Sequence, residues 1–343
     1  MKITDVTIER GPEGRTEVRN WRHGLPRREQ VSRPGQLVLT SESGHTGRCD
    51  VRDAVMAGAF VERHLRSELV GQDLFAREHL WKRVWEVHRL EYLPTHLLGV
   101  VDVALWDLAG QVLDLPVHRI AGFARESIRA YASTATFGSE SEYLDVVDQC
   151  IELGFSVIKL HAWGDARRDA ALAGRVREHV GSGVQLLFDG SGGYDLADAV
   201  YLGHALSDTQ FEWFEEPLSE YSITAHRMLA DRVAVPLILA EITQGAHQSA
   251  GDYIASGAAV GVRVSGELKG GITGALKVAA VADAYRMRAE VHGPGVVSTA
   301  LCMMISNNSF YESLVLTNPV RPDAALTDGL LTASELPGIG WPR

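Results

Sequence analysis

The 343-residue chain contains only three cysteines, Cys49, Cys150 and Cys302, far apart and odd in number. They offer neither metal-site spacing nor a disulfide framework, so a reducing cytoplasm is the default expectation. Positive charge is also scarce, with 33 Lys and Arg against 44 Asp and Glu and a formal net charge of −11. Without a basic stripe to neutralise phosphates, neither nucleic acid nor an anionic membrane is expected as a partner. The opening residues MKITDVTIERG lack a basic segment followed by an apolar core, and no apolar run is read as approaching bilayer-spanning length. No G-x-G-x-x-G or Walker sequence follows a strand-like run, which argues against an open nucleotide-binding sheet. What remains is ordinary globular composition, 45% hydrophobic and 22% charged, in a chain long enough for a barrel plus a smaller domain.

Two rhythms divide the chain. Over residues 1–125, short alternating stretches (Val6 and Ile8; Leu37 to Leu39) suggest antiparallel strands around a polar loop at Asn20–Gly35. The steps Leu98, Val101, Leu105, Leu108, Val112 mark one buried helical stripe. This region is expected to form an α+β capping domain, completed by the tail 326–343. Over residues 126–325, eight strand signals alternate with amphipathic segments such as Ala166–Val180 behind a possible Asp165 cap. The fold class is therefore α/β, with a closed barrel of parallel strands.

Four strand signals end in carboxylates: LLFDG, FEWFEEP, LILAEI and FYES. Asp189 to Glu215 is 26 residues and Glu215 to Glu241 is again 26, one βα repeat each time. A barrel puts its strand C-termini on one rim, so Asp189, Glu215 and Glu241 converge there. Three converging carboxylates are costly without a cation, and hard oxygen ligands suit Mg²⁺. Glu216 faces away from Glu215 and fits a supporting role. Lys159 and His161, two apart on one strand, face the barrel mouth together. A nearby cation would lower the Lys159 pKa, and a neutral His161 is ready as a base. His292 ends the seventh strand signal and Glu312 lies on the eighth. Glu312, if protonated, could hydrogen-bond a substrate carboxylate. Two proton-transfer groups around Mg²⁺ suit removal of a proton α to a carboxylate.

SVIKLH, LLFDG, WFEEP, LAE, Leu268–Ala282, VHG and Val100–Gly122 together resemble the enolase superfamily, specifically its mandelate racemase-like branch. The resemblance covers essentially the whole chain. It implies a modified TIM barrel, (β/α)7β, under a capping domain, with Mg²⁺ on Asp189, Glu215 and Glu241. It also implies acid/base positions for Lys159, His161 and His292, an electrophile position for Glu312, and a homo-oligomer. Two departures stand out. The branch usually carries a second lysine where this chain has His161, so either Lys159 or His161 could be the base. It also pairs its seventh-strand histidine with a sixth-strand aspartate, where this chain has Ser265. A serine can orient imidazole but cannot stabilise imidazolium, so His292 should be less basic and better suited to deliver a proton to a leaving hydroxyl. Arg263 shares the Ser265 face and could pair with Glu241 or reach substrate, and recruiting Glu267 in place of Ser265 would need a bulge.

The leading expectation is dehydration of an acid sugar to a 2-keto-3-deoxy acid. Racemisation or epimerisation, lactone cycloisomerisation and a non-catalytic metal-binding relative are the alternatives. Substrate contacts are expected from the loops Asn20–Gly35 and Glu42–Arg48, with Arg22, His23 and His45 as candidates beside Arg263 and Ser265.

Overall fold

The structure is a computed structural model and describes residues 1–17, 21–25 and 29–341. Asn20, the first residue of the predicted substrate loop, lies outside the described residues. Strands β1 (Ile3–Arg10), β2 (Gly14–Glu17), β3 (Glu29–Ser32), β4 (Gly35–Ser41) and β5 (Thr46–Val51) form a three-stranded sheet, β1-β4-β5, and a β2–β3 hairpin. Both are antiparallel, with Val6 opposite Leu39 and Ile8 opposite Leu37, so the alternating residues do pair as strands.

The helix Thr95–Leu113 packs between this sheet and the helix Gly271–Ala284. The spacing suggested one buried stripe, but every residue from Leu97 to Gly110 is buried, because neighbours cover the helix all round. The expectation that no apolar run approaches spanning length is corrected here. By length and composition this helix could cross a membrane, yet 78% of its most apolar window is buried inside the protein. Its apolar surface serves the core. The helix also comes very close to the barrel. A Cβ on Gly99 would lie 2.6 Å from the Gly266 carbonyl oxygen and 2.8 Å from that of Glu267.

Eight parallel strands build the barrel: β6 (Ser127–Thr134), β7 (Val157–His161), β8 (Gln185–Asp189), β9 (Trp213–Glu215), β10 (Leu237–Leu239), β11 (Gly261–Val264), β12 (Arg288–Val291) and β13 (Tyr311–Val315). β6 through β12 pair in chain order and β13 returns beside β6, which makes a modified TIM barrel. The remaining seam, between β12 and β13, is bridged by single bonds. Ala289 N–H donates to the Asn307 carbonyl at 3.0 Å, Val291 N–H to the Asn308 side chain at 2.9 Å, and Ser309 N–H to Glu290 at 3.1 Å. The eighth strand begins at Tyr311, within the FYES signal. Ala166–Val180 is helical as expected, and the Asp165 carboxylate accepts from Arg167 and Arg168 N–H. Near the end of the chain, β14 (Leu330–Thr332) pairs antiparallel with β6, and Trp341 Nε1 donates to the Arg48 carbonyl.

Strand alternation sets the site. Val157, Leu187, Trp213 and Ile238 fill the barrel interior with Tyr131. Two residues on, Lys159, Asp189 and Glu215 occupy the same face at the C-terminal rim, as the period of two requires.

Candidate active site

His161, Asp189 and Glu215 sit in register on three adjacent strands. Beneath them Lys159 is fully buried, its Nζ 3.0 Å from Asp189, 3.0 Å from Glu215 and 2.9 Å from Glu312. Burial alone would lower its pKa, but the carboxylates of Glu215 and Glu312 outweigh that and hold it well above the usual lysine value. The downward shift was expected from a bound cation, and the upward one here comes from the three carboxylates that surround the ammonium. Lys159 is a counter-ion below the floor, whereas His161 lines the cavity above.

His161 Nε2 lies 3.2 Å from Asp189 Oδ2, and its buried Nδ1 has no hydrogen-bond partner. Its ring packs on Trp21, centroids 4.7 Å apart. Asp189 is fixed from both sides: its Oδ1 accepts from Ser191 N–H at 2.8 Å and Ser191 Oγ at 3.1 Å. Burial pushes its pKa up, but Lys159 and His161 prevail and hold it well below the normal range.

Arg263 is also fully buried. Its Nη2 donates to Glu312 at 2.5 Å, its Nε lies 2.8 Å from Glu215 Oε1, and it contacts the Tyr131 hydroxyl. The expected pairing with Glu241 or substrate is corrected: the strand face was read properly, but the guanidinium ends among Glu215 and Glu312 under the floor. Arg263 Nη2 also lies 3.3 Å from His292 Nδ1. Ser265 does not orient that imidazole, since its Oγ accepts from Leu268 N–H. A guanidinium and two carboxylates, Glu241 at 3.3 Å and Glu312 at 3.4 Å, share the space at His292 Nδ1. Burial first, and Arg263 among the charges, lower His292 to about 3. The direction agrees with the expectation that His292 is less basic than an ordinary histidine.

Glu312 lines the cavity and accepts from Ser133 Oγ, Gly293 N–H and Arg263. Burial would raise its pKa, yet Lys159 and Arg263 hold it well below the normal value, so it is ionised rather than the protonated donor expected. Glu241 lies opposite, its Oε2 3.3 Å from His292 Nδ1. Burial, then the neighbouring Glu215 and Asp189, push it well above the usual range. Glu216 accepts from Glu241 N–H at 3.3 Å, and burial raises it to about 8. It supports the Glu241 backbone, matching the supporting role read for it.

The donor set fits a divalent cation. Glu215, Glu241 and His292 offer ligand atoms all within 4.8 Å of one another, with Asp189 alongside on the next strand. Mutual repulsion at Glu241 is what a cation would relieve.

A cavity of about 760 Å³ opens above these groups. Its capping side is formed by residues not singled out for contact: Trp21, Leu25, Arg52, His96 and Trp341. Arg22, His23 and His45 are not among its lining residues. Arg22 Nε donates to the Ser191 carbonyl, and His23 N–H donates to the Trp163 carbonyl. His45 lies exposed in the β4–β5 turn against Ser43. Ser191 was also missed, although its place two residues after Asp189 is the usual spacing for an Asp-to-backbone turn.

The family model "Enolase C-terminal domain-like" matches residues 142–342. A "D-galactonate dehydratase family member" of Streptomyces bingchenggensis (strain BCW-1) is 26% identical, covering 90% of this chain and 88% of that protein. The crystal structure of D-glucarate dehydratase from Agrobacterium tumefaciens, complexed with magnesium, is 29% identical and superposes with a TM-score of 0.88 over 99% of this chain and 96% of that one. A racemase from Streptomyces coelicolor A3(2) shares the fold at 20% identity, with a TM-score of 0.81 over 99% and 97% of the two chains.

Proposed function

We infer the reaction from one premise: the chain belongs to the Enolase C-terminal domain-like family. The reading is dehydration of an acid sugar in the cytoplasm, in a cavity between a capping segment, 1–125 with 326–343, and a barrel, 126–325. Asp189, Glu215 and Glu241 would hold Mg²⁺, which when bound supplies positive charge against the anion that builds up on the substrate carboxylate. The observation that carries the reading is His161, a cavity-facing imidazole with a partner-free Nδ1 beside that carboxylate cluster.

His161 takes the α-proton, and Asp189 at 3.2 Å steadies the imidazolium that forms. The carbon–oxygen bond to the β-hydroxyl then breaks, and the hydroxyl takes a proton and leaves as water. The protonated His161 is the group able to give that proton back. Neutral His292, whose Nδ1 faces Arg263, contributes a hydrogen bond from Nε2. The enol product tautomerises to a 2-keto-3-deoxy acid. Lys159 and Arg263 each pair with Glu215 and Glu312 and hold both carboxylates in place. Racemisation needs a competent base on each face, and the Arg263 guanidinium 3.3 Å from His292 Nδ1 disfavours protonation there.

Proton NMR of the protein with Mg²⁺ and acid sugars in D₂O tests this. Signals of a 2-keto-3-deoxy acid are expected from at least one sugar. Deuterium entering the α-position without loss of water would instead establish a racemase or epimerase. No exchange with any sugar, despite bound Mg²⁺, would leave a non-catalytic relative.

A further inference from the structure

Among the described residues lining the cavity, Arg52 is the only lysine or arginine. It is already engaged: Nη2 donates to Glu267 Oε2 at 2.8 Å, and Nε lies 2.7 Å from Glu267 Oε1, a two-pronged grip. Among the described residues, Lys159 and Arg263 lie below the floor and are taken by Asp189, Glu215 and Glu312, and buried Lys269 donates to the Thr243 carbonyl. His96, on the same wall as Arg52, adds no charge, because burial lowers it from the ordinary histidine value. Glu220 and Glu267 also line the cavity. A substrate with one carboxylate, placed at the reacting end, therefore meets the proposed metal and leaves a neutral tail toward Arg52. A second carboxylate at the Arg52 end would meet Glu267, and could reach Arg52 only by displacing it.

We propose that Glu267 masks Arg52, so that the cavity selects hydroxy acids with one carboxylate, the aldonates, over dicarboxylates, the aldarates. The proposal rests on the reaction inferred above and names the substrate class within it. The relatives alone do not decide the matter, since galactonate has one carboxylate and glucarate has two. The side chains of Arg52 and Glu267 are 78% and 39% exposed, so the mask is a weak pair that an incoming anion can compete with. Selectivity of about tenfold is expected, not exclusion.

The test is calorimetric titration of the magnesium-loaded protein with six-carbon aldonates and aldarates of matching configuration, with α-deuterium exchange followed in parallel. Wild type should favour the aldonate by about tenfold, and Glu267→Gln should raise the aldarate-to-aldonate affinity ratio by about tenfold. Adding Arg52→Ala to Glu267→Gln should abolish that gain. A wild type that prefers the aldarate, or a ratio that Glu267→Gln leaves unmoved, overturns the mask. If the ratios shift as predicted but no exchange occurs, the mask stands and the inferred reaction falls. Binding of no acid by the wild type overturns both.

Discussion

On the barrel side of the cavity, Lys159 and Arg263 are 0% exposed and each touches at least two carboxylates. On the capping side, Arg52 is 78% exposed and touches one. Identical charges therefore do different work. Removing one partner of a buried ion pair strands an uncompensated charge, at about 3–5 kcal/mol, whereas an exposed pair is worth about 0–1 kcal/mol. The floor is a fixed electrostatic array held by strands. At Arg52 the roof can change at little cost to the fold.

The comparison breaks at its strongest point if the floor does not carry the chemistry. His161→Gln should cost roughly 10³-fold in α-deuterium exchange while leaving the thermal melt close to wild type, because it removes a base and not a counter-ion. A comparable loss from the roof residue Arg52 on an aldonate would contradict the division. Next comes stability: Lys159→Met should lose about 3–5 kcal/mol in urea unfolding, and Arg52→Met less than about 1 kcal/mol. Equal losses would mean that burial does not separate the two walls.

The smallest effect concerns the support between the walls. Asp102, on the helix Thr95–Leu113, is buried and accepts from Thr273 N–H and Oγ1 at the start of the barrel helix Gly271–Ala284. Burial raises its pKa to about 7 from 3.8. The folded state then holds a proton that the unfolded state has lost between those two values, so stability falls as pH rises through that window. Asp102→Asn should flatten the pH dependence of stability, by about 1–2 kcal/mol between about pH 5 and 8. An unchanged profile would assign that dependence elsewhere.

Strand ends were legible because each carboxylate closes an apolar run and the 26-residue spacing repeats. The Asp165 cap was legible for a similar local reason. How the barrel closes at its β12–β13 seam was not, since Asn308 and Glu290 bridge it with side chains and no periodicity encodes that. Alternation put Arg263 on the right face, but which carboxylates it meets depends on how far a long side chain reaches across the ring. Lys159 and Glu312 lie 2.9 Å apart at the carboxylate cluster, and the charge each carries depends on the sum of its neighbours, a property of packing that no local pattern encodes. Arg22, His23 and His45 were chosen for polarity in loops, which carries no direction. The pairing of Arg52 with Glu267 joins residues 215 positions apart. It is decided by how the N-terminal sheet and its helix seat on the barrel.

That seating has a further consequence at Gly99. Here main chain meets main chain, with no side chain to compress or to change rotamer, so the contact works as a rigid spacer. The height of the roof above Ser265–Glu267 is thus set by a hydrogen atom, and even one methyl group at position 99 would lift the segment that holds Glu267. Cavity size and cavity selectivity are coupled through this single contact, so a variant that enlarges the space there also moves the carboxylate that faces Arg52.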